Sequence, residues 1–372
     1  MARGRSKAIP GNEYESLTGK NMETTDSPLT SIIVLNYNGS QELPTLFNSI
    51  QRTTYQNREV IMVDNGSSDK SIDFMNKHYP SVKIIENRRN VGAAEGFNVG
   101  IANSKGKYFA LLSPGMEVHP DWLQPLVSVL EKDSRVAAVD SWYVDYNDRQ
   151  RFDRVVAAGR YADRFGNVRN YGAGELIKNH DEEIKRVFAG MTLMRKTVFD
   201  DLGPFDPDFF FGYEDMDLFL RINLAGHKVL SIPFSRVFHK SGASSERGIR
   251  RPGFYYLEKR NRLISLVKNL PAKSLVFAFP VVFFEYLSYL AFWTFKGNKR
   301  NVTELVRSVL WFLEKGNLRG LLAKRRENLR RNEGKPVALR SFLVPYCGDL
   351  LRLLGGKYRA DESQRNHTGD IP

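Results

Sequence analysis

The sequence predicts an α/β fold of the doubly wound type, in which a mostly parallel, Rossmann-like sheet has helices on both faces. Short apolar runs alternate with helix-like segments in the first part of the chain, and each run ends in polar turn residues. A long apolar segment and a basic tail follow later, which predicts a helical, membrane-associating region after the α/β domain.

Four apolar runs are the predicted strands of this sheet. They span residues 31–36, 59–64, 82–85 and 108–112. Because helix-like sequence fills each gap, the strands should lie parallel to one another. In such sheets ligands bind at the carboxyl ends of the strands, where the polar turns collect.

Polar residues at three of these turns are candidate ligand contacts. Asn36 begins the first turn, and Asp64 begins the second, where its carboxylate could accept a hydrogen bond from a nucleoside base or cap the next helix. Asn90 leads into a stretch with glycines at 92, 96 and 100, which could admit a ligand or let a helix pack closely on the sheet. That stretch lacks the Lys-Ser/Thr of a phosphate loop, so it does not indicate an ATPase.

An acidic run behind an aromatic wall is the most informative part of the chain. Glu214, Asp215 and Asp217 follow three consecutive phenylalanines, 209–211. Like charges at this spacing repel and apolar neighbours disfavour ionisation, so such a cluster usually serves chemistry. The alternative is an acidic helix N-terminus that complements the helix dipole.

Six pieces of the sequence, taken in order, resemble the family 2 glycosyltransferases and within them the rhamnosyltransferase-like branch. The pieces span 34–39, 63–69, 90–100, 203–206, 213–217 and 237–239, and the resemblance covers roughly residues 29–245. It implies the GT-A fold and an inverting transfer of a sugar from a UDP-, dTDP- or GDP-linked donor to a hydroxyl group.

The resemblance also implies roles for individual residues. Asp215 would be the catalytic base, with Glu214 and Asp217 as further catalytic residues, and Asp217 and Gly190 would contact the acceptor. Contacts to the nucleotide sugar would come from the turns at the strand ends, namely Asn36, Tyr37, Asn38, Asp64, Asn90, Gly92, Ser113 and Gly115. His239 would contribute to a Mg²⁺ or Mn²⁺ site.

The chain departs from the family pattern after the fourth strand. Relatives carry an acidic or amide residue, a spacer and then a metal-binding aspartate, where this chain has Ser113 and Gly115. Glu117 is the nearest carboxylate that could substitute, and hard cations prefer such oxygens. Three outcomes stay open: weakened metal binding that relies on His239, neutralisation of the leaving group by Lys or Arg, or loss of turnover.

Composition suggests how the rest of the 372-residue chain is organised. We expect a disordered polar tail at 1–28, a catalytic domain at 29–250 with a nucleotide-sugar half (29–140) and an acceptor half (141–250), a helical region at 251–360 and a disordered end at 361–372. The polar start lacks the apolar core of a signal peptide. The single cysteine, Cys347, excludes an internal disulfide and fits a reducing compartment.

The helical region is both apolar and basic. Residues 276–295 are long enough to span a bilayer, but Pro280 and Glu285 interrupt them. Residues 296–360 hold 16 Lys/Arg against 5 Asp/Glu. A single span would place this charge on the outer face, against the positive-inside tendency. We therefore expect residues 276–330 to contact the cytoplasmic membrane surface as a peripheral or monotopic segment, with 305–322 as an amphipathic helix. A single transmembrane span, a buried helix and a homo-oligomer contact are the alternatives.

Three function classes remain at this stage. The leading one is a glycosyltransferase of cell-envelope or polysaccharide biosynthesis, with a lipid-linked or glycan acceptor at the membrane. The second is a catalytically impaired relative that acts as a scaffold or partner subunit, which Ser113 and Gly115 suggest. The third is a nucleic-acid binder, which the basic tail alone suggests; the apolar run beside that charge favours lipid instead, so we expect no nucleic acid.

Overall fold

The computed structural model describes residues 27–146, 155–173, 185–187, 192–240, 253–331 and 343–344. Two compact units divide this part of the chain. The first holds most of the described residues up to 240, and the second holds residues 162–169 and 253–329.

Strands and helices alternate between residues 30 and 132, and strands predominate from residue 136 to residue 195. The first half contains β1 (Thr30–Asn36), α1 (Leu43–Gln51), β2 (Arg58–Asp64), α2 (Ser71–His78), β3 (Lys83–Glu86), α3 (Gly92–Ala102), β4 (Tyr108–Leu112), β5 (Met116–Val118) and α4 (Leu123–Lys132). The second half contains β6 (Val136–Asp145), β7 (Val155–Ala157), β8 (Arg160–Asp163), β9 (Val168–Asn170), β10 (Lys185–Arg186), β11 (Leu193–Arg195), α5 (Lys196–Leu202), α6 (Glu214–Leu224) and β12 (Lys228–His239).

The central sheet confirms the predicted fold class. Its strand order is β10-β12-β6-β11-β4-β1-β2-β3, with β5 beside β12 and β7 beside β6. The four predicted strands form β1 to β4 with ends that differ by at most one residue, and their pairings are parallel. The half beyond β4 is mixed, because β11 runs antiparallel to both β4 and β6 while β12 runs parallel to β6.

The apolar pattern explains the packing of these elements. In α1 the buried residues Leu43, Leu46, Phe47 and Ile50 recur at helical spacing and face the core. Helix α3 instead approaches β1 through a glycine, since a Cβ on Gly100 would lie 2.4 Å from the Ile33 side chain. Close helix–sheet packing is therefore what Gly100 provides.

The second unit is helical. Its helices are α7 (Phe254–Asn269), α8 (Ala272–Phe295), α9 (Lys299–Leu310) and α10 (Asn317–Arg331), and a short strand, β13 (Leu343–Val344), lies further along the chain. The predicted continuous amphipathic helix over 305–322 is wrong. A 3-10 turn at Trp311–Leu313 ends α9, and Gly316, with φ of +97°, separates it from α10.

Candidate active site

The first two turns are joined by Asn36 and Asp64. These residues are partners in the β1–β2 register and are almost fully buried. Asn36 Nδ2 donates to Asp64 Oδ1 at 2.8 Å, and the Ser67 backbone N–H donates to Asp64 Oδ2 at 2.8 Å. Asp64 therefore connects the two turns, because each of its carboxylate oxygens accepts a hydrogen bond.

Asn38 extends the same link. It adopts a left-handed backbone with φ of +52°, its N–H donates to Ser67 Oγ at 2.8 Å, and its Oδ1 accepts from the Ser68 N–H at 2.8 Å. Tyr37, between Asn36 and Asn38, is 38% exposed. Hydrogen bonds thus fix the backbone of this turn, and the turn presents the aromatic ring of Tyr37 to solvent.

Asn65 connects the third turn and was absent from the sequence prediction. Its Nδ2 donates to Asn90 Oδ1 and to the Gly92 carbonyl, each at 3.0 Å, while its Oδ1 accepts from Asn87 Nδ2 at 3.1 Å and from the Val91 N–H at 3.2 Å. The signal was its place in the turn after Asp64, a position that favours Asn. The ends of β1, β2 and β3 are therefore one hydrogen-bonded platform.

A strained segment joins this platform to the acidic run. Phe210 has φ of +58° and ψ of −64°, and the Phe211 N–H donates to the Phe209 carbonyl at 2.6 Å, which is the rare γ-turn with positive φ. The Phe210 carbonyl accepts from the Ala93 N–H at 2.5 Å, and a Cβ on Gly92 would lie 2.3 Å from that carbonyl oxygen. Gly92 is thus required for the contact, and strain of this kind concentrates at functional sites.

The acidic run begins α6, and its carboxylates have different surroundings. Tyr213, the residue before the helix, is left-handed with φ of +69°. Asp215 Oδ2 lies 2.7 Å from Arg160 Nη1, with side chains that are 22% and 32% exposed respectively. Asp215 therefore remains accessible while an arginine from β8 holds it. Arg160 lies in the segment 141–250 that was expected to form the acceptor half, but the sequence did not single it out.

Two buried carboxyl groups lie in the electrostatic field of Asp215. Burial, with a smaller contribution from the charge of Asp215, raises the pKa of Glu214 to about 8. Burial likewise raises the pKa of Asp140 to about 7, although Thr192 Oγ1 donates to Asp140 Oδ1 at 2.8 Å. Glu214 is thus a proton-carrying group at neutral pH, and its Oε2 is buried without a hydrogen-bond partner among the described residues. Sequence patterns gave no sign of Asp140 or Thr192.

Asp217 supports the helix rather than lining the accessible end of the run. Its side chain is fully buried, and Arg221 Nε donates to Asp217 Oδ2 at 3.1 Å. The other nitrogens of Arg221 donate to the carbonyls of Leu202, Gly203 and Pro204 at 2.8, 2.7 and 2.9 Å. Asp217 was expected to be a catalytic and acceptor-binding residue, but its side chain is buried and is not accessible.

The predicted metal residues do not converge. In the β5–β12 ladder His239 is opposite Met116 and Glu117 is opposite Phe238, so alternation places His239 and Glu117 on opposite faces. Glu117 Oε1 pairs with Arg52 Nη2 at 3.2 Å. No group of three or more His, Cys, Asp or Glu side chains suited to a metal occurs within residues 27–146, 155–173, 185–187, 192–240, 253–331 and 343–344.

His239 is the last residue of β12, and Gly115 immediately precedes β5, which pairs with that end of β12. Burial lowers the pKa of His239, and the carboxylate of Asp145, its partner in the β6–β12 register, opposes that shift. The ring of His239 lies edge-on to Tyr143. Gly115 has φ of +93° and open space where a side chain would be, and the Lys240 N–H donates to its carbonyl at 2.9 Å. The residues described here do not fit the family's usual divalent-metal site. Gly190 lies outside the described residues.

Comparison with known proteins supports a glycosyltransferase. Residues 31–203, slightly less than half of the 372-residue chain, match the model described as glycosyl transferase family 2. The match supports the glycosyltransferase class for this region of the chain. The acidic run of α6 begins beyond the matched residues, so the roles of its carboxylates do not come with the match.

One relative is also named as a glycosyltransferase. A protein of Haemophilus influenzae named as an uncharacterized glycosyltransferase is 34% identical over 118 residues, which is 31% of this chain and 36% of that protein. The chain thus spans about a third of that relative's length.

One solved structure supports the fold. The crystal structure of S. aureus TarS is 14% identical, with a TM-score of 0.52 over 82% of this chain and 53% of that one, and it shows that the fold is GT-A-like. A mannosyltransferase from Pyrobaculum calidifontis, solved with GDP-Man and Mn²⁺, is 17% identical with a TM-score of 0.45 over 86% of this chain and 92% of that one.

Proposed function

We propose that this protein is an inverting glycosyltransferase that moves a sugar from a nucleoside-diphosphate sugar to an acceptor hydroxyl, with Asp215 as the catalytic base. The observation that carries the proposal is the placement of Asp215, a partly exposed carboxylate at the start of α6 that Arg160 holds 2.7 Å away. The match of residues 31–203 to the glycosyl transferase family 2 model supports the transferase class.

The chemistry requires one proton transfer and one displacement. As the acceptor oxygen forms a bond to the anomeric carbon, its proton passes to the carboxylate of Asp215. The bond between the anomeric carbon and the phosphate oxygen breaks, and its electron pair leaves with the nucleoside diphosphate. Arg160 fixes the carboxylate in position, and the raised pKa of Glu214 keeps a second negative charge away from the base at neutral pH.

The platform of turns is the proposed donor site. Asn36, Asn38, Asp64 and Asn90 are tied into it by hydrogen bonds, which support its function as a preorganised surface for a nucleoside. Tyr37 is the exposed ring on this surface. Gly92 forms the contact between the platform and the segment before α6, while Ser113 and Gly115 lie at the end of β4. UDP-, dTDP- and GDP-linked donors all remain candidates.

The proposed acceptor is a lipid-linked or polysaccharide hydroxyl at the cytoplasmic membrane face. Its support is the apolar helix α8, the one helix within residues 27–331 of the described chain that is long and apolar enough to cross a membrane. Gly190 is proposed to line the acceptor pocket. We propose Mg²⁺ or Mn²⁺ only as a possible requirement of donor binding, to be measured directly, and assign no step to either.

Thermal unfolding against UDP, dTDP and GDP, each with Mn²⁺, Mg²⁺ or EDTA, tests the donor site. A ligand at 100 times its dissociation constant stabilises a protein by about 2.7 kcal/mol, or roughly 5 to 11 °C for a domain of 150 to 250 residues. A shift with one nucleotide identifies the donor class, and its persistence in EDTA indicates binding without metal. Asp215→Asn should retain that shift and lose transfer by at least a hundredfold.

A catalytically impaired scaffold is the second candidate, and Gly115 favours it. A glycine supplies no metal ligand where the family has an aspartate, and its φ of +93° fits a loop that glycine adopts readily. This candidate predicts no nucleotide-dependent shift under any metal condition. A wild-type protein that transfers sugar while Asp215→Asn does not would exclude it.

A further inference from the structure

Helix α8 has one exposed face that is almost entirely apolar. Its large side chains there are between 44% and 89% exposed: Val276, Phe277, Phe279, Phe283, Phe284, Leu287 and Phe295. We call these seven residues the apolar stripe. It runs along most of a helix of 24 residues, about 36 Å long. An apolar surface of this extent on a soluble protein marks a site of interaction.

The opposite face of α8 is fixed to α7 by polar contacts. Glu285 is fully buried, and its Oε2 lies 2.5 Å from Nη2 of Arg262, which is 2% exposed. Tyr286 Oη donates to the Lys259 carbonyl at 2.6 Å, and Trp293 Nε1 donates to Tyr255 Oη at 3.0 Å. Breaking a buried ion pair leaves an uncompensated charge, so α8 cannot separate from α7 without a large loss of stability.

The composition of α7 restricts how α8 can meet a bilayer. Helix α7 carries Glu258, Lys259, Arg260 and Arg262 beside the contact with α8. These charges are costly in the hydrocarbon interior of a membrane. A transmembrane α8 would either take α7 with it or break the Arg262–Glu285 pair. An α8 that lies in the plane of the surface buries the stripe and leaves the pair intact.

The charges around the stripe indicate the chemistry of the surface. Exposed lysines lie near both ends of α8, Lys273 at the first turn and Lys296 and Lys299 just after the last. Residues 253–329 hold 14 Lys/Arg against 5 Asp/Glu. An apolar stripe between basic ends complements a bilayer with anionic headgroups, which attract nearby basic residues. A second copy of the chain would repeat the same positive charges.

We propose that residues 253–329 are a monotopic anchor in which α8 lies in the plane of an anionic bilayer, with the apolar stripe among the acyl chains and its lysine-bearing ends at the headgroup phosphates. The inference deepens the proposed membrane location of the enzyme. It rests on that location and does not depend on turnover.

Vesicle flotation of the full chain tests the binding. We expect the protein to float at least tenfold more strongly with vesicles of phosphatidylcholine and 30% phosphatidylglycerol than with phosphatidylcholine alone. Phe283→Glu/Phe284→Glu should reduce flotation at least tenfold, while Phe234→Glu, which changes an exposed phenylalanine on β12, should not. Both variants should keep the wild-type melting temperature and any nucleotide-induced shift, so a failure of the anchor is distinguishable from a failure of the donor site.

Cysteine labelling separates an in-plane helix from a span. In a Cys347→Ser background, Lys273→Cys and Lys299→Cys place a thiol at each end of α8. With protein added to preformed sealed vesicles, a membrane-impermeant maleimide should label both positions. Labelling of one position only after permeabilisation would mean that α8 crosses the bilayer, and a stable dimer that fails to float would mean that a second copy covers the stripe. Either result overturns the proposal.

Discussion

Replacing Arg221 with methionine should destabilise the first unit severely without touching the proposed chemistry. Arg221 is 4% exposed and pairs with Asp217, which is fully buried. The Arg221→Met change leaves that carboxylate and three carbonyls, those of Leu202, Gly203 and Pro204, without their donor. Breaking one side of a buried ion pair costs about 3 to 5 kcal/mol. For a domain of 150 to 250 residues this lowers Tm by roughly 6 to 20 °C.

The measurement is thermal and urea unfolding of wild type, Arg221→Met, Asp217→Leu and the double variant. Because the two side chains form one pair, the double variant should be less destabilised than the sum of the single ones. Asp215→Asn is the matched control on the same helix, and its partly exposed pair with Arg160 should contribute at most about 1 kcal/mol. A loss below about 1 kcal/mol for Arg221→Met, or abolished transfer in Asp217→Asn at unchanged stability, would refute the supporting role of Asp217.

Two further outcomes follow from the site. The pKa of Glu214 is raised to about 8, so the folded protein keeps a proton that the unfolded chain releases near pH 4. The contribution of Glu214 to stability is therefore complete below about pH 4 and is lost as the pH rises towards 8. The free energy of unfolding falls by at most about 1.4 kcal/mol per pH unit in this range. Glu214→Gln should therefore gain stability relative to wild type in urea titrations from pH 5 to pH 8, and parallel pH profiles would contradict the burial of that proton. Gly92→Ala should lower stability by more than Gly115→Ala. Both glycines have positive φ, but only at Gly92 would a Cβ lie 2.3 Å from a carbonyl oxygen. Equal losses of stability in thermal unfolding would show that the contact with Phe210 is dispensable.

The half of the sheet that contains β1 to β4 was predictable from the sequence because its signals are local. Strands β1 to β4 are apolar runs that end in turn residues, and each was predicted to within a residue at its ends. Asn36 and Asp64 end neighbouring parallel strands, so their meeting at one edge follows from strand pairing alone. In the second unit, the apolar run at 276–295 and the amphipathic spacing at 305–322 were also visible, whereas helix α7 and the break at Gly316 were not.

Local sequence signals could not distinguish the three carboxylates of the acidic run from one another. Glu214, Asp215 and Asp217 look equivalent in the sequence, and the family resemblance alone had selected Asp215. The structure separates them by burial and partner: Asp217 lies against Arg221, Asp215 against Arg160, and Glu214 in a buried site that raises its pKa.

The sequence by itself determined the α/β class, the parallel strands, the acidic helix and the apolar basic appendage, because these depend on the order and period of neighbouring residues. The tertiary structure alone decided which side chains meet. Arg160 reaches Asp215 across 55 positions of sequence, and Arg262 reaches Glu285 between two helices. The faces of His239 and Glu117 depend on the register of β5 against β12. Such contacts join residues that are far apart in the sequence. The residues around a charged side chain set its pKa and its ion-pair partner, and no local sequence pattern identifies those residues.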